Sequence, residues 1–195
     1  MLTERAKSYL STLKRIPPVP SAQVEKVLLD QGSPCFQPWL DFHERYAGYV
    51  EPLGLDTAIW GIVHEKSYWI APGRAEVDRE THEDVWYVTC AEVHPSYNYL
   101  LDDKGEFLGR PAESFDIKVE RNALHWEYFC QGEAGHIEHH VKDAALIARL
   151  LQRSQPIAEA SDRHFTYFRC DDFVAIQNFG TKAFSQVWMR GKPRP

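Results

Sequence analysis

The sequence predicts an α+β protein of one domain, with a mostly antiparallel sheet and helices packed on it. Apolar residues recur at helical spacing as far as residue 46, and a period of two takes over from residue 57. The same order of helices and then strands follows in the second half of the chain. An alternating strand–helix–strand run, the pattern of a parallel sheet, does not occur. At 195 residues the chain is long enough to bury a core of its own.

Two helices are predicted before residue 35. The first spans residues 3–15, with Thr3 as its N-cap. Prolines at positions 17, 18 and 20 end it because proline cannot continue the hydrogen-bonded ladder. A second, shorter helix starts at Ser21. The apolar stripes of the two helices are Ala6, Tyr9, Leu10 and Leu13, and Val24, Val27 and Leu28.

A third helix is predicted in "PWLDFHERYAGY", residues 38–49. Pro38 suits its first turn, and Gly48 suits the position just after its end. His43 lies on the apolar face and Glu44 on the polar face, so the two side chains diverge by about 100° and cannot work as an acid–base pair. We therefore expect His43 to be a hydrogen-bonded, partly buried ring. The rest of the apolar face is formed by Trp39, Phe42 and Tyr46.

Strands are predicted from residue 57 to residue 109. The segments "TAIWGIVH" and "SYWIA" form a first pair, joined by a tight "EK" connection. The next strand is "DVWYVTC", and "SYNYLLDDKGEFLG" reads as a strand, a turn and a short return strand. The turn "DDKG" has the acid-then-glycine chemistry of a hairpin.

Helical spacing returns in "ESFDIKVERNALHWEYFCQG", residues 113–132, where one stripe contains Phe115, Val119, Ala123, Trp126 and Cys130. A further helix is predicted from about Val141 through "DAALIARLLQRS". The segment "HFTYFRCDDFVAIQNFGTKAFSQVWM" then predicts three short strands. They form a C-terminal extension at about residues 160–190.

Composition narrows the function classes. The net charge of -6 argues against nucleic-acid binding as the main role. No run approaches the roughly 20 apolar residues of a membrane helix, and the N-terminus lacks the apolar region of a signal peptide, so we expect a cytoplasmic protein without a membrane partner. The four cysteines are widely spaced without a CxxC pair, which argues against a metal knuckle or a dense disulfide frame.

Acidic residues concentrate between Glu76 and Glu106, where nine acidic and two basic residues give a net charge of -7. Aromatic residues are interleaved with them, and aromatic anchors ringed by charge are typical of protein interfaces. The alternative is a solvated rim, with about half of the aromatic residues in the core. The candidate partner-binding residues are Asp78, Glu80, Glu83, Asp84, Glu92, Asp102, Asp103, Tyr68, Trp69 and Tyr97.

The strongest metal-like motif is "HIEHH". If this segment is helical, His136 and His140 share a face, as in HExxH metalloproteases, but Ile137 stands where that motif has its catalytic glutamate. A solvated helix start, adventitious metal binding and a functional metal stay open as interpretations. A metal-dependent hydrolase using His136, His139 or His140 is thus the alternative function. No nucleophile elbow, dinucleotide loop or phosphate loop is present, so no catalytic residue and no cofactor are predicted.

Three segments resemble the SUKH superfamily, whose members are largely bacterial immunity proteins against secreted toxins. They are "IPPVP" leading to a "PWLDFHERYAGY" helix that ends in glycine, "WYVTC" with "YNYLLDDKGEF", and "ESFDIKVERNALHWEYF". The resemblance covers residues 15 to 130. It implies a single SUKH-like domain over residues 1–195, no catalysis, and neutralisation of a toxin domain by occlusion. We expect the toxin to be basic, and this protein to be a monomer or a weak dimer.

Overall fold

The fold is α+β, as the sequence predicts. The computed structural model describes residues 1–67, 69–93, 99–108, 111–129, 136–181 and 183–189. Within these residues the helices are α1 (Glu4–Thr12), α2 (Ser21–Asp30), α3 (Gln37–Tyr46), α4 (Phe115–Phe129) and α5 (Ala144–Arg153). A short 3₁₀ turn follows at Ala158–Ala160.

The strands described pair antiparallel and form three sheets. We name the sheets by strand order: sheet A is β1-β2-β3-β6, sheet B is β4-β5-β7-β8, and sheet C is β10-β11-β12-β13-β9. The strands are β1 (Lys14–Arg15), β2 (Tyr49–Leu53), β3 (Asp56–Trp60), β4 (Val77–Glu80), β5 (Val85–Thr89), β6 (Ala91–Glu92), β7 (Leu100–Asp102), β8 (Phe107–Leu108), β9 (His136–Val141), β10 (Gln155–Pro156), β11 (Phe165–Arg169), β12 (Phe173–Asn178) and β13 (Phe184–Met189).

The chain divides into two compact units. Ser11–Phe115 contains α2, α3 and sheets A and B, and Met1–Leu10 together with Asp116–Pro195 contains α5 and sheet C. Helices α1 and α4 each cross the border between the two ranges.

The core of Ser11–Phe115 is an aromatic cluster built around α3. The predicted apolar face of this helix is confirmed, because Trp39, Phe42 and Tyr46 are all buried. The ring centroid of Phe115 lies 4.6 Å from that of Phe42 and 4.9 Å from that of Trp60, both in edge-on geometry. Such pairs stabilise by about 0.5–1.5 kcal/mol each beyond the burial of their area. The aromatic spacing of α3 therefore anchors this unit.

Gly48 ends the α3 segment, as predicted, and its lack of a side chain is required. It has φ +86, and its N–H donates a hydrogen bond to the carbonyl of Trp60 over 2.8 Å. Its own carbonyl accepts from the N–H of Ile16, also over 2.8 Å. A Cβ at this position would collide with the carbonyl oxygen of Ile16. A positive φ and a close backbone approach together favour glycine.

The first hairpin differs from the prediction. The partner of β3 is β2, which pairs Val50 with Ile59 and Leu53 with Asp56, and it is not the segment 67–71. Pro52 concealed this strand, since proline normally marks a strand as interrupted. The structure accommodates it because β1 pairs only with Tyr49 and Val50, which leaves the other side of β2 unpaired at Pro52. The described residues of 67–71 form no strand.

The hairpin at "DDKG" is confirmed. Strands β7 and β8 pair Leu100 with Leu108 and Leu101 with Phe107. Gly105 in the turn has φ +85, and its N–H donates to the carbonyl of Asp102 over 3.0 Å. The predicted strand at 84–90 is also confirmed as β5, whereas β4 was missed because three of its four residues are charged and exposed.

The predicted three-strand tail is confirmed as β11, β12 and β13, and it belongs to a larger sheet. Strand β9 pairs with β13 and the two-residue β10 pairs with β11, which gives sheet C five strands. Helix α5 starts at Ala144, after Val141 has already joined β9. Asp143 caps the helix by accepting from the N–H groups of Ala145 and Leu146 over 2.9 and 3.0 Å. Ile147 and Leu150 of α5 are buried in the cluster that contains Phe173 and Phe184.

Glu120 of α4 anchors the start of α1. Its carboxylate accepts from the backbone N–H and the hydroxyl of Thr3 over 2.7 and 2.8 Å, and from Arg5 over 3.0 Å. The predicted N-cap is confirmed, because the Thr3 hydroxyl also accepts from the N–H of Ala6 over 3.2 Å. The Glu120 side chain is almost fully buried, so these donors compensate for the desolvation of its charge.

Candidate protein-binding surface

Sheet B has one buried face and one open face, which follows from the alternation of side chains along each strand. Val77, Val88, Leu101 and Phe107 stand opposite one another across the four strands, and the last three are buried. The opposite face of the sheet therefore carries the residues that alternate with them. We call it the outer face of sheet B, and its residues are Glu76, Asp78, Glu80, Val85, Tyr87, Thr89, Leu100 and Leu108. Asp102 alternates to the same side, but its side chain is buried.

Four of the predicted acidic residues are exposed at β4 and the turn that follows it. Asp78 and Glu80 lie on β4, and Glu83 and Asp84 lie in the turn to β5. Asp84 is paired, because its carboxylate accepts from Nε of Arg79 over 2.9 Å and also contacts Nη2 of that side chain. The turn thus holds one neutralised acid, and Asp78, Glu80 and Glu83 are the predicted acids at this end that carry net negative charge.

Tyr87 lies in the middle of this negative charge. It stands opposite Asp78 on one side and opposite Asp102 on the other. Partial burial, and then the nearby carboxylates of Glu83, Asp102, Glu80 and Asp103, raise the pKa of Tyr87. Each carboxylate disfavours a phenolate, so the phenol keeps its proton. The outer face therefore offers a neutral aromatic ring inside a field of carboxylates.

Two of the predicted partner-binding residues, Asp102 and Glu92, are buried and do not belong to the exposed surface. Asp102 is 8% exposed, and its carboxylate accepts from the N–H groups of Lys104 and Glu106 over 3.0 and 2.7 Å. It organises the hairpin turn. Glu92 is 7% exposed, and its carboxylate accepts from the N–H of Trp69 over 3.3 Å. The count of acidic residues could not separate exposed carboxylates from carboxylates that hold the backbone.

The remaining predicted residues divide between the surface and the segments outside the described residues. Trp69 is 45% exposed. Asp103 is half-buried, and one of its carboxylate oxygens is shielded from solvent and accepts no hydrogen bond from the described residues. The charge of that oxygen adds to the negative field around Tyr87. Tyr68 and Tyr97 lie outside the described residues.

A groove of about 590 Å³ opens beside the outer face of sheet B. Tyr87, Thr89 and Leu100 line it from the sheet, and Glu76 and Asp78 line it from β4 and the residue before it. The opposite wall comes from the end of α2 and from the loop at residues 71–75, which contributes Arg74.

The loop wall of the groove is fixed by Gln31, which follows directly after α2. The side-chain amide of Gln31 donates to the carbonyl of Ala75 over 2.9 Å and accepts from the N–H of Ala75 over 3.0 Å. Neither Gln31 nor Arg74 nor the groove itself is indicated by a sequence pattern. The two partners are 44 residues apart in the chain, and no local pattern indicates such a pair.

A separate group of buried titratable side chains consists of His43 on α3 and His64. The ring of His43 is confirmed as buried and hydrogen-bonded: Nε2 donates to the carbonyl of Val19 over 2.8 Å, and Nδ1 accepts from the N–H of Ile62 over 3.1 Å. A Cβ on Gly61 would lie 3.2 Å from the ring of His64 and 3.5 Å from the ring of His43, so the glycine makes room for both imidazoles. Burial lowers the pKa of each histidine.

The histidine motif at 136–140 is not helical. These residues form β9, and His140 has φ +55, so the shared helix face expected for His136 and His140 is wrong. His139 and His140 are exposed, and the side chains of His136 and Glu138 lie outside what the structure describes. Among the described residues, no three His, Cys, Asp or Glu side chains come together as a metal-binding group.

Comparisons with known proteins add no relative. No family model, no curated protein and no solved structure matches this chain. The resemblance to the SUKH superfamily therefore stays a prediction. Within the described residues, none of the helices is long and apolar enough to cross a membrane.

Proposed function

We propose that this protein binds and neutralises a cognate toxin domain of basic charge by covering it with the outer face of sheet B. The observation that carries the proposal is the field of carboxylates around Tyr87, formed by the exposed Asp78, Glu80 and Glu83 and by the half-buried Asp103. Negative potential on one partner and positive potential on the other speeds association and selects the right complex. Tyr87 supplies an aromatic side chain of the kind that carries binding energy at interfaces.

The buried positions of Asp102 and Glu92 sharpen this proposal. A partner meets the β4 end of sheet B and the turn at residues 81–84, where the carboxylates are exposed. Occlusion of a nuclease-like basic surface needs no catalytic group on the inhibitor, so the proposal requires only surface shape and charge. The SUKH resemblance implies the same mode of action.

The first test is whether this protein rescues growth from, and forms a complex with, a toxin domain encoded near its gene. We expect co-expression to restore growth and the two proteins to co-purify. Glu80→Gln with Glu83→Gln should slow association roughly fivefold at low salt and reduce the dependence of affinity on NaCl. These substitutions keep the side-chain shape, including the acceptor that Glu80 offers to the N–H of His82.

The matched control is Glu44→Gln with Asp56→Asn, which removes the same charge from exposed positions on α3 and β3. It should leave association unchanged. An equal decrease of the association rate in both variants would mean that net charge alone causes the effect. Unchanged binding in the Glu80 and Glu83 variant would mean that the interface lies elsewhere.

A further inference from the structure

The groove beside sheet B has a charge distribution that fits one particular side chain. Glu76 and Asp78 stand two residues apart, so both point to the outer face. The hydroxyl of Thr89 donates to Glu76 over 3.3 Å, which holds that carboxylate at the groove. Asp78 stands opposite Tyr87 in the strand register. One end of the groove therefore presents two carboxylates beside an aromatic ring.

This arrangement suits arginine better than lysine. A guanidinium is planar, donates two parallel hydrogen bonds to a carboxylate, and stacks on an aromatic face. Tyr87 lines the groove, and the carboxylates around it favour a cation beside its ring. The phenol is neutral under these conditions because the same carboxylates disfavour its ionisation.

The opposite wall suits a peptide backbone. Arg74 is exposed at the groove, and the double hydrogen bond between Gln31 and Ala75 fixes the backbone beside it. A cation at this wall repels a second guanidinium and attracts a carbonyl oxygen. A bound arginine is thus oriented, with its side chain toward Glu76 and Asp78 and its flanking carbonyl groups toward Arg74. The volume of about 590 Å³ is in the range of ligand sites.

We propose that this groove receives a single arginine of the partner protein, with its guanidinium between Glu76, Asp78 and Tyr87 and its backbone beside Arg74. The inference rests on the proposed function for the identity of the partner. It adds the anchor: arginine and tyrosine are among the residues that contribute most to binding energy at protein interfaces.

The test uses a minimal probe, Nα-acetyl-arginine N-methylamide, titrated into the ¹⁵N-labelled protein and followed by NMR. We expect chemical-shift changes at Thr89, at Arg74 and at the side-chain amide of Gln31. The uncharged analogue with citrulline in place of arginine should bind at least tenfold more weakly, because it lacks the charge-assisted hydrogen bonds. Glu76→Gln with Asp78→Asn should weaken the arginine probe by a similar factor, whereas Glu44→Gln with Asp56→Asn should not.

Equal binding of the citrulline analogue would overturn the inference, and so would shift changes that persist unaltered in the Glu76 and Asp78 variant. The fold of that variant is checked by its own spectrum, which should match the wild type away from the groove. These experiments distinguish a failure of the arginine site from a failure of the proposed toxin binding. Probe binding in the groove without a toxin complex would reject the toxin partner and keep the arginine site. A toxin complex that is insensitive to Glu76 and Asp78 would reject the arginine site alone.

Discussion

The indole N–H of Trp39 donates a hydrogen bond to the backbone carbonyl of Asp102 over 2.7 Å, and both residues are buried. This contact connects α3 to the last residue of β7. Pro38 lies beside the same turn, where a Cβ on Gly105 would come within 2.9 Å of its ring. The aromatic helix therefore supports the hairpin whose turn contains Asp103, one of the carboxylates that act on Tyr87.

Trp39→Phe should lower the free energy of unfolding by about 1–3 kcal/mol, because it removes the indole donor from a buried carbonyl that then keeps only the N–H of Gly105, and because the smaller ring leaves a cavity. The loss is measured by urea denaturation followed by far-UV circular dichroism. Trp69→Phe is the control, since Trp69 is 45% exposed, and it should cost less than about 0.5 kcal/mol. Equal effects of the two substitutions would mean that the indole hydrogen bond contributes nothing specific.

The neighbouring acids Asp102 and Asp103 should behave differently when each is changed to alanine. Asp102→Ala removes the acceptor for two backbone N–H groups of the turn, and we expect a loss of about 1–2 kcal/mol in the free energy of unfolding. Asp103→Ala removes a carboxylate with no hydrogen bond to the described residues at its shielded oxygen, so its stability should change little or rise. Thermal unfolding of both variants checks this order, and the reverse order would show that Asp103 organises the turn.

Local sequence patterns predicted those elements whose conformation depends on residues close together in the chain. The α3 face follows from the spacing of Trp39, Phe42 and Tyr46, and the β7–β8 hairpin follows from its acid-then-glycine turn. Strand β9 could not be predicted in this way, because its conformation depends on a distant segment. "HIEHH" has helical spacing of histidines, yet pairing with β13 decides its conformation, and β13 lies more than 40 residues later in the chain.

The sequence predicts that the candidate surface is acidic, but it does not predict which of the acidic residues are exposed. An excess of acid between Glu76 and Glu106 is visible in the sequence. Burial of Asp102 and Glu92 depends on a backbone turn and on the N–H of Trp69, which are properties of the folded chain. The groove depends on a contact between Gln31 and Ala75 that no periodicity encodes.

Substitution of Arg121 should strongly lower the free energy of unfolding, because this residue pairs with a buried carboxylate. Its guanidinium lies 2.7 Å from the fully buried carboxylate of Asp162, and its Nε donates to the carbonyl of Ala160 over 2.9 Å. It also lies over the rings of Phe165 and Tyr167 at 5.1 and 5.2 Å. Arg121→Met removes the cation from a buried carboxylate, which costs about 3–5 kcal/mol of unfolding free energy.

The control for Arg121 is Arg153→Met, because Arg153 forms an exposed ion pair with Asp172. Exposed pairs contribute about 0–1 kcal/mol, so this variant should unfold close to the wild-type midpoint. Denaturant titration of both variants gives the comparison. A loss of less than 1 kcal/mol in Arg121→Met would mean that the Asp162 carboxylate is stabilised by its other contacts alone.

The two buried histidines should make the stability of the protein depend on pH. Burial lowers the folded-state pKa of His43 and of His64 below the ordinary value, with His43 further lowered by His64 and both opposed by backbone carbonyls. The unfolded chain therefore takes up protons at a higher pH than the folded chain does. Stability from these two residues is complete above about pH 6.5 and is lost progressively as the pH falls from there toward the folded-state pKa values.

Urea unfolding at pH 7.5, 6.5 and 5.5 should show a free energy of unfolding that decreases at the two lower values, by up to about 1.4 kcal/mol per pH unit for each histidine. In His43→Gln with His64→Gln the protein should be less stable at all three values, but the slope below pH 6.5 should flatten. His82→Gln is the control, because His82 is exposed in the turn after β4, and its slope should match the wild type. The slope separates titration from packing: a double variant that keeps the wild-type slope would show that the acid sensitivity does not arise from His43 and His64.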